Sequence, residues 1–236
     1  MPNSKVGRTI ASVIILVGAV LLIAAVFTPW YAEQFSGYGA TITQNAYPGL
    51  PSSNGTISYT CSGIPSGASC PSQTSYNKET ANNTGNLAEA VYFLGIAGFI
   101  LGFVGGILGL MSRGNPRRAT PALALAVVGM LLAVAAVGMF AGALPGAISS
   151  DTPNHSGNGP WSSFSGSTNA SSFGIHVAGN ISWGPAIGWY LALTAFIVLL
   201  VGIILVFRYR KDPASPAPAA TPAPGVAPSA SPPPAS

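Results

Sequence analysis

Two cysteines, Cys61 and Cys70, are the only thiols of the chain, and eight residues of one polar stretch lie between them. With the turn-forming run Gly63-Ile64-Pro65-Ser66-Gly67 between them, the spacing suits a hairpin disulfide on an oxidising face. Free thiols, or a metal or redox role, are the alternatives, although a metal would need ligands from elsewhere in the chain. The two histidines do not obviously supply them. His155 lies in a Thr-Pro-Asn-His-Ser-Gly turn, and His176 alternates with Ile175 and Val177 in a strand-like run, so each reads as a polar surface residue. No Ser/His/Asp set, carboxylate pair or phosphate loop is recognisable. The sequence therefore points away from an enzyme and implies no cofactor.

Two other residue patterns carry physical meaning. Asn54, Asn82, Asn154, Asn169 and Asn180 each begin an Asn-x-Ser/Thr triplet, the acceptor for N-glycosylation where the compartment provides it. Segments this rich in Ser and Thr produce several such triplets by chance. The second pattern is a glycine ladder, Gly98, Gly102, Gly105, Gly106 and Gly109, repeated more sparsely at Gly138 and Gly142 with Gly146 one step further. Glycines three or four residues apart share a helix face. In lipid such a face lets backbones approach closely, either inside one bundle or against a partner.

These residues must be positioned by a membrane protein. Only 6% of the 236 residues are charged and 49% are hydrophobic, against roughly 25% charged in soluble domains. Four uncharged segments, 9–28, 90–111, 121–148 and 185–207, are each long enough to cross a hydrocarbon core of ~30 Å, which takes ~20 helical residues. The first is too long for a signal-peptide core, and Thr28-Pro29-Trp30 is a poor cleavage context, so it reads as a retained span.

Eight of the nine Lys and Arg residues flank these spans on one side: Lys5, Arg8, Arg113, Arg117, Arg118, Arg208, Arg210 and Lys211. The positive-inside rule then puts residues 1–8, the 112–120 turn and the 208–236 segment in the cytoplasm, as expected for a multi-pass protein of the cell membrane. The connections 29–89 and 149–184 fall outside. Trp30 and Tyr31 are expected to mark the outer end of the first span, and Trp183, Trp189 and Tyr190 the start of the fourth. The formal charge of +4 is spent on orientation rather than gathered on a water-facing surface, so nucleic acid is not an expected partner.

Within the outer connections, Thr56 to Cys61 alternates like a strand, with Tyr38 to Thr43 and Phe173 to Val177 as further candidates. The expected fold is an all-α membrane bundle of four helices carrying a small antiparallel sheet drawn from both outer connections. Residues 212–236 hold nine prolines and are expected to be disordered with polyproline character.

Four spans with both ends inside, a first outer connection longer than the second, Trp30 at its start and the Cys61/Cys70 pair resemble the claudin and peripheral myelin protein superfamily. The motif is met in part, because Gly49-Leu50 is followed by Pro51 where that family has tryptophan. Tetraspanins, whose large loop is the second, are dissimilar. The resemblance implies a left-handed four-helix bundle under an outer sheet, used in adhesion, barrier formation or as an accessory subunit. The expected function is a structural or interaction protein whose partners are the bilayer and other membrane proteins or itself. The alternative is a small transporter or channel subunit, which the scarcity of polar side chains within the spans disfavours, Ser12 and Thr194 being nearly the only ones.

Overall fold

The computed structural model describes residues 4–48, 56–63, 69–70, 74–75, 82–112, 119–153, 158–170 and 179–210. The 212–236 segment, the Phe173 to Val177 strand candidate, His155, His176, Asn54 and Asn154 lie outside these residues.

Four helices, α1 (Ser4–Val26), α2 (Asn82–Met111), α3 (Ala119–Asp151) and α4 (Ile187–Arg210), are each long and apolar enough to cross a membrane. The chain is a multi-pass helical membrane bundle. Contacts between small residues fix its antiparallel order. Along α1 and α2, a Cβ placed at Gly95, Gly98, Gly102, Gly106 or Gly109 would meet Val26, Leu22, Ala19, Leu16 or Ser12 in turn. Gly105 of α2 faces Ala122 and Ala126 of α3, while Gly18 and Gly202 pack α1 against α4 through Leu199 and Ile15. The helices therefore run up, down, up, down. The start of α1, the end of α4, the end of α2 and the start of α3 share one end of the bundle.

At the opposite end lies a six-stranded antiparallel sheet ordered β4-β3-β2-β1-β6-β5, with β1 (Tyr31–Gly37), β2 (Ala40–Tyr47), β3 (Thr56–Ser62), β4 (Thr74–Ser75), β5 (Gly166–Asn169) and β6 (Gly179–Pro185). The first connection contributes four strands and the second two. They join where β1 pairs with β6, Tyr31 opposite Pro185 and Gly37 opposite Gly179.

Two sequence expectations need correction here. Tyr38 does not begin a strand; Tyr38 and Gly39, at φ 53° and 76°, form the two-residue turn between β1 and β2. Turns with both central residues at positive φ match the right-handed twist of the strands they join. Nor does the fourth helix begin at Pro185, because the last residues before Ile187 complete β6. Proline has no amide to donate and is tolerated at such a strand end.

The inner face of the sheet and the end of the bundle share one core. Trp30 is fully buried, donates from Nε1 to the carbonyl of Ala25 at 2.8 Å, and meets Phe140 of α3 edge-on at 5.3 Å. Tyr31, Ala46, Ile181 and Trp183 from the sheet join Leu22, Val91, Leu144 and Ala192 from the helices in the same cluster. Trp30, Tyr31 and Trp183 are thus buried under the sheet rather than displayed as a belt, whereas Tyr190 is exposed.

Candidate functional site

Cys61 and Cys70 form a disulfide with their Cα atoms 5.8 Å apart. Strand β3 pairs Thr56 with Ser75 and Ile57 with Thr74. Cys61 lies in β3 and Cys70 four residues before β4, so the bridge ties β3 to the chain that precedes its partner strand. It sits on the β4-β3 side of the sheet, away from the β1-β6 seam. The bond closes a loop of about ten residues, a constraint on the unfolded chain of about 2.7 kcal/mol.

The glycines divide into two environments. In α2, Gly98, Gly102, Gly105 and Gly106 are buried, and every added Cβ would meet α1, α3 or α4 within 4 Å. The closest approach of backbone to backbone between α2 and α3 is at Gly129 of α3, which glycine spacing does not single out. A Cβ there would lie 2.8 Å from both the Gly98 carbonyl oxygen and the Gly102 amide nitrogen. Its nearest glycine neighbours in sequence are too far away to form a ladder, so only the facing helix reveals its role. In α3 the arrangement reverses. Gly138, Gly142 and Gly146 are exposed, and a Cβ at any of them would meet nothing within 4 Å. With Leu131 and Ala135, also exposed, they make a continuous stripe that the bundle leaves uncovered.

Three of the sequon asparagines are described, and all lie at the sheet end. Asn82 is the exposed first residue of α2; Asn169 and Asn180 are exposed and sit directly opposite one another on β5 and β6. Chemically they are accessible amides.

Titratable groups are few. Asp151, the last residue of α3, caps α2: its Oδ1 accepts from the Asn83 amide at 3.0 Å and the Asn83 side chain at 2.9 Å, and its Oδ2 accepts from the Thr84 amide at 2.8 Å. Burial works to raise the Asp151 carboxyl, but hydrogen bonds from Thr84 and Asn83 outweigh it and hold the group below its ordinary value of 3.8. Glu33 on β1 lies between Gln44 and Trp183 across the sheet, and burial pushes its carboxyl above the ordinary 4.5. Among the described residues, no three His, Cys, Asp or Glu side chains converge as metal ligands would. The buried Ser12 hydroxyl donates to the Arg8 carbonyl at 2.9 Å, and the Thr194 hydroxyl to the Tyr190 carbonyl at 2.8 Å. The Ser12 and Thr194 hydroxyls are therefore spent on their own helices.

No protein-family model matches the chain, and no curated protein matches it.

Proposed function

We propose that the chain is a non-catalytic interaction protein of the cell membrane that assembles laterally through α3 and presents its sheet to the outside. The single observation that carries this reading is the contrast between the two glycine ladders. Every glycine of α2 from Gly95 to Gly109 is filled by a neighbouring helix of the same chain, while Gly138, Gly142 and Gly146 are open. Lipid chains pack no better against glycine than against leucine, so such a stripe gains most from a second helix backbone drawn close to it. Its partner is another membrane helix, from a different protein or from a second copy.

Orientation is part of the proposal. Basic residues at the bundle end away from the sheet, Lys5, Arg8, Arg208 and Arg210, favour a cytoplasmic placement of both termini. The sheet, its disulfide and the asparagine acceptors then face an oxidising exterior. A disulfide-clasped sheet built from both connections also agrees with membership of the claudin and peripheral myelin protein type.

Blue-native electrophoresis after mild detergent extraction tests the reading. The wild-type protein is expected in a complex, and Gly142→Leu is expected to release it as a monomer with an unchanged unfolding temperature, because the new side chain meets no other part of the chain. A wild-type protein that runs as a clean monomer in every mild detergent would sink the proposal.

A further inference from the structure

At the end of the bundle away from the sheet, the four helices enclose a cavity of about 280 Å³. Arg8 and Ser12 of α1 and Ser112 at the end of α2 form its polar part, while Ile15, Leu123 and Val206 form an apolar wall. The two parts are displaced along the bundle. Ile15 lies seven residues beyond Arg8, about 10 Å deeper along α1. The polar groups therefore sit near the helix ends with Val206 beside them, and Ile15 and Leu123 carry the apolar wall deeper into the bundle. Gly105 and Gly109 of α2 also line it.

The Ser12 and Ser112 hydroxyls donate to the carbonyls of Arg8 and Gly109 within their own helices, at 2.9 and 2.7 Å. What remains to be matched is the Arg8 Nε–H. Arg8 Nε is buried and has no hydrogen-bond partner among the described residues. A buried donor left without an acceptor is costly, so the half-buried Arg8 side chain calls for an acceptor that enters the cavity from outside. The carboxylates of the described residues cannot serve it, since Glu33, Glu89 and Asp151 all lie toward the sheet end.

The two parts of the lining ask for two chemistries in one ligand. An inorganic oxyanion would match Arg8 but leave the apolar wall against water, and a hydrocarbon would do the reverse. We propose that the cavity binds an anionic phospholipid, its phosphate held by the Arg8 guanidinium and the start of an acyl chain laid along Ile15, Leu123 and Val206. Arginine suits the task because its planar fork bonds phosphate oxygens in a fixed geometry, and basic pockets between helices are a known mode of headgroup recognition. The site requires only that the chain reside in a bilayer and is independent of any partner on α3.

The full chain, delipidated in a non-ionic detergent, can be titrated with phosphatidylglycerol, phosphatidylcholine or inorganic phosphate while unfolding temperature and retained lipid are read by thermal shift and native mass spectrometry. Phosphatidylglycerol is expected to bind and raise the unfolding temperature; the zwitterionic lipid and free phosphate are not. Arg8→Gln should bind phosphatidylglycerol about tenfold more weakly, the loss of one charge-assisted contact. Arg208→Gln, exposed at the same end but outside the cavity, should bind it as the wild type does. Should Arg8→Gln not fold, Leu123→Phe narrows the wall with the guanidinium kept, and the same loss is expected. The proposal is overturned if the cavity variant binds like the wild type, if phosphatidylcholine is equivalent, or if inorganic phosphate reproduces the lipid's effect.

Discussion

Asp151 shows how one side chain can hold two helices. The first amides of α2 have no intrahelical acceptor, and a carboxylate from the far end of α3 accepts two of them, at Asn83 and Thr84. Its negative charge also opposes the positive end of the α2 dipole. Asp151→Ala should lower stability at neutral pH by about 0.5–1 kcal/mol, the lower part of the range for a helix cap because water screens this site. The pH dependence has a definite sign. With the folded-state pKa below the unfolded value of about 3.9, the contribution is complete above that value and disappears as pH falls through the folded-state pKa. Unfolding temperatures of wild type and Asp151→Ala should therefore differ at pH 7 and converge as the pH is taken down below the ordinary carboxyl value of 3.8 and through the lower folded-state pKa. A gap that persists undiminished at acid pH would assign the effect to packing instead of charge.

Between elements, glycine position decides how close two helices can come. At Gly105 an added methyl would press on backbone atoms, 2.9 Å from both the Ala122 carbonyl oxygen and the Ala126 nitrogen, whereas at Gly102 it would rest 3.5 Å from Ala19 Cβ and 3.6 Å from Leu199 Cδ2. Backbone cannot step aside as a side-chain tip can. Gly105→Ala should cost about 1–3 kcal/mol by overpacking, while Gly102→Ala should be neutral or gain about 0.5 kcal/mol from the restricted unfolded chain. Chemical or thermal unfolding of the two variants side by side checks the order, and equal effects would mean that α2 and α3 do not meet as described. Sequence spacing alone could not make this distinction. It identifies Gly102, Gly105 and Gly142 as members of ladders, but whether a face is filled depends on helices far away in the chain. The helices themselves were legible because long uncharged runs permit little else. The sheet was legible only in part. Thr56 to Cys61 alternates cleanly, but β1 places Glu33 between Tyr31 and Phe35 on the inward face, and β5 has no apolar residue at all. In β6 the period-two signal of Ile181 and Trp183 was present, yet the tryptophan also fits the start of a span.

At the scale of the whole molecule, the question is whether sheet and bundle are one cooperative body or a cap resting on a stalk. The strands of the first connection alone would make a hairpin-rich sheet with little to bury against, and small antiparallel sheets need a packed face for stability. That face is supplied where α1 passes into β1. The Thr28 hydroxyl donates to the Ala25 carbonyl at 2.9 Å, the Ala186 amide to the Trp30 carbonyl at 2.9 Å, and the Gly188 amide to the Pro29 carbonyl at 2.7 Å, binding the end of α1 to the start of α4. Trp30 fills the space so enclosed, against Phe140 below and next to the sheet residues that share its core. If this residue is the coupling, Trp30→Ala should cost about 3–5 kcal/mol and lose cooperativity as well as stability. Trp30→Phe, which keeps an aromatic ring toward Phe140 and gives up the bond to Ala25, should cost less and keep the two parts linked. Amide hydrogen exchange read by mass spectrometry separates these outcomes. In the wild type the amides of β1 and β6 should open only with the ends of α1 and α4; in Trp30→Ala they should exchange first, with the lipid-embedded helical amides still protected. Uniform acceleration of strand and helix amides in that variant would instead place the coupling across the broader core, with Trp183 and Ile181 the residues to replace next.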